Sequence, residues 1–143
     1  AMLEDIAILT GGKVIELRAT TLTQSLKDKF PHLTGWPAYE VIADNATIRK
    51  ALTGQLVAAA YTDSGKLLIA TQVQIPGALD ALYAYDGALG AVVNGGDVDF
   101  AVWAPTAQNV RLHLLDDAGQ LLDTHSMTNA GTDGVWRETG SRG

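Results

Sequence analysis

The residues of this chain able to do chemistry are its histidines, carboxylates and aromatics, and their spacing narrows what that chemistry is. The three histidines, His32, His113 and His125, share no metal-ligand spacing such as His-x-x-x-His. His113 falls on the outward parity of an alternating segment, which reads as a solvated side chain. The sequence has no cysteine, which excludes a disulfide, a thiolate metal ligand and a thiol nucleophile. It contains neither a Gly-x-Ser-x-Gly elbow nor a glycine-rich loop that closes on Lys-Ser/Thr around a phosphate. A glycosidase needs two carboxylates facing each other across about 5–10 Å on a rigid scaffold. The adjacent acids Asp116 and Asp117 stand instead in a turn context. Asn94-Gly95-Gly96-Asp97 and Asn129 to Gly134 offer oxygen donors of the kind hard cations take, yet neither has EF-hand spacing and turn chemistry accounts for both. The sequence therefore assigns no catalytic residue and no metal ligand.

The aromatic residues are the remaining signal. A sugar ring lays its apolar face on a flat amphipathic side chain, the same surface that tryptophan and tyrosine offer at interfaces. Trp36, between Gly35 and Pro37, reads as an exposed loop residue. Trp103 lies in an apolar strand and reads as core. Trp136, at the start of a strand, fits either a core or a sugar platform. Trp36 and Trp136 are thus the candidate carbohydrate-binding residues.

The elements that position these side chains follow from periodicity and punctuation. Lys13 to Arg18 alternate as a strand with one buried side. Leu22, Leu26 and Phe30 are four apart on one helical face, with Thr21 or Thr23 as cap and Pro31 as stop. His32 to Pro37 reads as a loop and Tyr39 to Ile42 as a strand. Asp44-Asn45 cap a second short helix through Ile48, Leu52 and as far as Gln55, with Gly54 as its end signal. Leu56 to Tyr61 and Lys66 to Val73 flank Thr62-Asp63-Ser64-Gly65, a hairpin signal. A helical turn follows Pro76-Gly77, and Ala91 to Val93 is a short strand. Phe100 and Val102 then alternate up to Pro105, which cannot donate to a sheet ladder, and Val110, Leu112 and Leu114 alternate beyond it. Asp116 to Gly119 turn the chain into a returning strand, Gln120 to Ser126. Met127 to Gly134 reads as a loop, Val135-Trp136-Arg137 as the start of a further strand, and Gly140 to Gly143 as loop material.

At 143 residues, 47% of them hydrophobic and 18% charged, the chain is folded rather than disordered, as one ordinary domain or two small ones. A net charge of −6 argues against nucleic acid or an anionic membrane surface as the partner. No apolar run approaches the ~20 residues that span a bilayer. The first residues, Ala1 to Asp5, carry no signal-peptide pattern. The expected class is mostly β: two small β-sandwich-like domains, residues 1–86 with short helices and residues 87–143 as an incomplete immunoglobulin-like sandwich.

Phe100-Ala101-Val102-Trp103-Ala104-Pro105-Thr106-Ala107-Gln108-Asn109-Val110 resembles the opening of the family 48 carbohydrate-binding module. This module precedes the catalytic barrel in debranching enzymes of glycoside hydrolase family 13. Phe100, Trp103, Pro105, Ala107 and Val110 carry the motif. Lys29-Phe30-Pro31-His32-Leu33, Gly54-Gln55-Leu56-Val57-Ala58-Ala59, Gly65-Lys66-Leu67-Leu68 and Val73-Gln74-Ile75-Pro76-Gly77 precede it in order. Together they look like the domain ahead of that module in bacterial pullulanases and plant limit dextrinases. The resemblance implies a non-catalytic accessory region of an enzyme that hydrolyses α-1,6 branch points, with the barrel of the parent enzyme and α-glucan as partners. It implies an extracellular or cell-surface parent and no cofactor for this chain, calcium being a candidate for the parent alone. Family modules continue beyond Trp136 with an aromatic-rich strand. The sandwich is accordingly expected to leave a sheet edge uncovered and to self-associate through it.

Overall fold

The computed structural model describes residues 5–11 and 13–141. Readings that fall on residues 1–4, on Gly12 and on residues 142–143 lie outside the described residues. The contacts divide the chain into two compact units, Ala1–Val73 and Gln74–Gly143.

The first unit is built on one five-stranded antiparallel sheet. Strands β1 (Asp5–Thr10) and β2 (Lys13–Thr20) form a hairpin. Strand β3 (Ala38–Val41) pairs with the far side of β2. Strands β4 (Val57–Tyr61) and β5 (Leu67–Gln72) continue the sheet beyond β1, so that the order is β3-β2-β1-β4-β5. Directly paired residues share a face. Ile8 pairs with Ile15 on one side and Ala58 on the other, which puts Ile8, Ile15 and Ala60 on a common face, and all three are buried. The other face carries Arg18 opposite Glu40, paired at 2.7 Å, and Val14, which is 68% exposed. An exposed ion pair of this kind marks the register more than it stabilises the sheet.

Short helices fill the crossovers. Helix α1 (Gln24–Lys29) starts at Thr23, whose hydroxyl accepts from the Leu26 N–H. The chain then forms a 3-10 turn over Pro31–Leu33 where the sequence reads a loop. Proline is tolerated at a first helical position because its missing N–H would have no partner there. Helix α2 (Asn45–Leu52) is capped by Asp44, whose carboxylate accepts from the Thr47 N–H at 2.6 Å. It ends at Thr53, and Gly54 N–H returns to the Ala51 carbonyl. Ala51 and Leu52 are the buried residues of this helix, and the Thr10 hydroxyl donates to the Ala51 carbonyl.

The second unit opens with helix α3 (Pro76–Leu82) and contains two sheets. One has four strands: β6 (Gly90–Asn94), β7 (Asp97–Trp103), β10 (Thr128–Asn129) and β11 (Val135–Ser141), in the order β10-β11-β7-β6. The other is the hairpin β8 (Arg111–Leu115) and β9 (Leu121–Ser126), turned by Asp116, whose carboxylate accepts from the N–H groups of Ala118 and Gln120. Two sequence readings are corrected. Thr128 and Asn129 pair with Arg137 and Trp136 instead of standing in a loop, and Gly140 and Ser141 continue β11, opposite Val98 and Asp97. The reason is non-local: β7 presents a whole ladder to β11, and seven consecutive backbone pairs outweigh the weak strand preference of a single glycine. His125 on β9 lies 3.2 Å from Asp123 and 3.4 Å from Glu138 on β11, which links the two sheets of this unit when the ring is protonated. The mostly β class and the short helices of the first part are as the sequence reading expects.

Leu52 is 2% exposed, so Leu52→Ala is expected to lower the stability of the first unit by about 2–5 kcal/mol. Val14→Ala, on the exposed face, is expected to stay within about 0.5 kcal/mol. Urea unfolding followed by far-ultraviolet circular dichroism checks both.

Candidate functional site

In the second unit the site is organised by the corner after β7. Proline cannot extend the ladder, so the polar groups around it need other partners. Ala104 N–H donates to the Gly134 carbonyl at 2.9 Å, and the Ala104 carbonyl accepts from Ala107 N–H at 3.1 Å. Two tryptophans complete the set. The Trp136 indole N–H donates to the same Ala104 carbonyl at 3.0 Å, and the Trp103 indole N–H donates to the Tyr83 carbonyl at 2.9 Å. Phe100 and Trp103 are half-buried on β7, Pro105 is buried at the corner, and Ala107 and Val110 are half-buried beyond it. The Val110 carbonyl accepts from Met127 N–H.

Trp103 and Trp136 look out of opposite faces of their sheet, because Trp103 pairs with Val135 and Trp136 with Val102. Trp136 shares its face with Glu138, which turns toward His125 of the second sheet. Trp136 is half-buried and its N–H is engaged. Trp36 belongs to the first unit and is 70% exposed, on the loop between the 3-10 turn and β3. Its backbone N–H donates to the Leu33 carbonyl, and Gly35 before it has a φ of 88°, a conformation open to glycine.

A group that the sequence reading did not single out surrounds Trp103. The chain leaving α3 lays Tyr83, which is 5% exposed, and Tyr85 beside it. A side chain at Gly87 would run into the Tyr85 ring, so this residue must be small. Arg137 crosses the Tyr85 ring with its guanidinium 5.5 Å from the centroid and is held there by Asp133 at 2.6 Å. The Arg137 guanidinium, followed by the Val135 N–H, holds the Asp133 carboxyl below its ordinary 3.8. Asp133 and Tyr85 in turn raise Arg137. Asp80, Tyr83, Tyr85, Leu89 and Trp103 line a recess of about 360 Å³. The available signal was the run Tyr83-Ala84-Tyr85-Asp86-Gly87, two aromatics ahead of a glycine.

His113 accepts from or donates to the Thr124 hydroxyl at 2.9 Å, and His32 meets the edge of Phe30. Among the described residues no group of three or more His, Asp or Glu is arranged to hold a metal ion. Among the described residues no helix is long and apolar enough to cross a membrane.

A mostly β chain of two units, aromatic at the corner of the second, is the class that this arrangement defines. Comparison with known proteins makes it specific. Residues 2–81 match the Pullulanase N2 domain, and residues 88–141 match carbohydrate-binding module 48, the isoamylase N-terminal domain. The chain belongs to the Pullulanase N2 domain family, continued by a family 48 module, and is homologous to the N-terminal, non-catalytic region of pullulanases. It is 37% identical over 127 residues to a pullulanase of Klebsiella pneumoniae, covering 87% of this chain and 12% of that protein. It is 31% identical to the chloroplastic pullulanase 1 of Arabidopsis thaliana, covering 89% of this chain and 13% of that protein. The crystal structure of Klebsiella pneumoniae pullulanase complexed with maltotriose superposes with a TM-score of 0.89 at 30% identity, over 98% of this chain and 15% of that one. The chain therefore spans about an eighth of the length of these curated relatives.

Two expectations follow. An Asp133 carboxyl that prefers to be ionised in the fold contributes stability above the ordinary value of 3.8, and the contribution is lost as pH falls below it. Asp133→Asn is expected to flatten the acid limb of the second unit's stability, measured as the urea midpoint between pH 5.5 and about 3. Gly134 is buried with a φ of 71°, and a Cβ there would lie 2.7 Å from Pro105 Cβ and 3.0 Å from Tyr83 Cδ1. Gly134→Ala is expected to cost about 2–4 kcal/mol, combining backbone strain with overpacking, in the same unfolding assay.

Proposed function

We propose that this chain is the accessory region of a starch-debranching enzyme, one that helps to seat the catalytic barrel of its parent and holds α-glucan near it. The parent hydrolyses α-1,6-glucosidic linkages in pullulan, amylopectin and limit dextrins, and works outside the cell or at its surface. The membership of the N2 and module 48 families carries this reading, and the relatives crystallised with maltotriose support it. Trp36 supports the glucan half: a tryptophan 70% exposed between a glycine and a proline offers a rigid, water-facing platform. Trp136 contributes through the fold, since its indole is half-buried and already bonded to Ala104.

A purely structural docking role is the second reading, favoured by the edge strand β5. Leu67, Leu68 and Ile69 there are 51–62% exposed, an apolar run on an edge that a packed neighbour would cover. Affinity electrophoresis in gels with and without amylopectin separates the two. Retardation that Trp36→Ala reduces at least threefold supports glucan holding, and mobility indifferent to the polysaccharide supports docking alone.

A further inference from the structure

The recess beside Trp103 has the chemistry of a sugar subsite. Trp103, Tyr85 and Leu89 line it, and it lies entirely within the second unit. At about 360 Å³ it is at the small end of ligand cavities, which run from roughly 300 to 1,000 Å³, the size for one or two hexose rings rather than a long helical segment. The Trp103 indole N–H is committed to the Tyr83 carbonyl, so what this ring offers a ligand is its face and not a hydrogen bond. That is the half of recognition suited to the apolar C–H face of a pyranose.

Polar groups supply the other half. Asp80 lines the recess, and its carboxylate makes no hydrogen bond or ion pair among the described residues. An ionised carboxylate is acceptor-only and can take two adjacent hydroxyls of one ring, the geometry that vicinal diols present. The Tyr85 hydroxyl donates to the Ala88 carbonyl at 3.4 Å and is engaged by Arg137, so Tyr85 serves as a wall and Asp80 as the polar contact. The wall is rigid before any ligand arrives: Arg137 covers the Tyr85 ring, Asp133 fixes Arg137, and Gly87 leaves room for the ring. Such preorganisation lowers the ordering cost of binding.

We propose that this recess binds a single terminal α-glucosyl unit, stacked on Trp103 and held through its hydroxyls by Asp80. The proposal rests on the α-glucan reading above and assigns it a second, separate site. The three tryptophans give three indole N–H resonances, so titrating the ¹⁵N-labelled chain with maltotriose locates the sugar directly. The expected result is movement of the Trp103 indole and of amides in residues 80–89. Asp80→Asn, an exposed helical substitution, is expected to weaken that binding about tenfold, the loss of a charge-assisted hydrogen bond. Leu89→Arg, which sets a long side chain at the mouth, is expected to abolish it, with the amide spectrum otherwise unchanged. Shifts confined to the Trp36 indole would overturn the recess and leave the α-glucan reading standing. The absence of any shift up to 50 mM maltotriose would overturn both.

Discussion

Two indole N–H groups set the geometry on which the second unit depends. Pro105 breaks the ladder of β7 where the chain must leave the sheet, and carbonyls at such a break lose several kcal/mol of hydrogen bonding if they are buried unpaired. Trp136 reaches across to the Ala104 carbonyl, and Trp103 reaches back to the Tyr83 carbonyl, 20 residues earlier. The large rings thereby serve twice, as apolar filling and as donors that fix where the backbone lies. Everything nearby is arranged around this corner: Gly134, whose bare Cα fits against Pro105 and Tyr83, and Val135, fully buried one residue on.

The first unit is held in a different way. Its centre is β1, which pairs on both sides, and its specificity comes from local devices at the element ends. Thr23 and Asp44 satisfy helix N–H groups, and Thr62 accepts from Lys66 N–H while its own N–H donates to the Lys66 carbonyl at the β4–β5 turn. The side chains that cap this unit are mostly solvent-facing, and β5 carries three consecutive exposed apolar residues, Leu67, Leu68 and Ile69. The ends of its elements thus follow short-range rules, while the corner of the second unit rests on contacts between residues far apart in the chain.

This difference explains what was legible in the sequence. Both helix caps, the two hairpin turns and the parity of Phe100 and Val102 follow from neighbours within a few residues, and the structure has them. The full extent of β11 was not readable, because its strand character comes from β7, some 38 residues away, and Gly140 has no β propensity of its own. The 3-10 turn at Pro31 was hidden by the same proline that stops α1. Of the site, the tryptophans were visible as residue types, but the role of each depends on its carbonyl partner. The recess joins Asp80 on α3 to Trp103 on β7, a juxtaposition made by tertiary folding, and no periodicity announces it.

The distribution of the tryptophans also fixes how the molecule reports on itself by fluorescence. The first unit holds Trp36 alone, which water surrounds in the folded chain almost as it would in an unfolded one. Trp103 and Trp136, half-buried and hydrogen-bonded, both lie in the second unit. The spectral shift on unfolding is therefore a property of the second unit, while the first melts in near silence at those wavelengths.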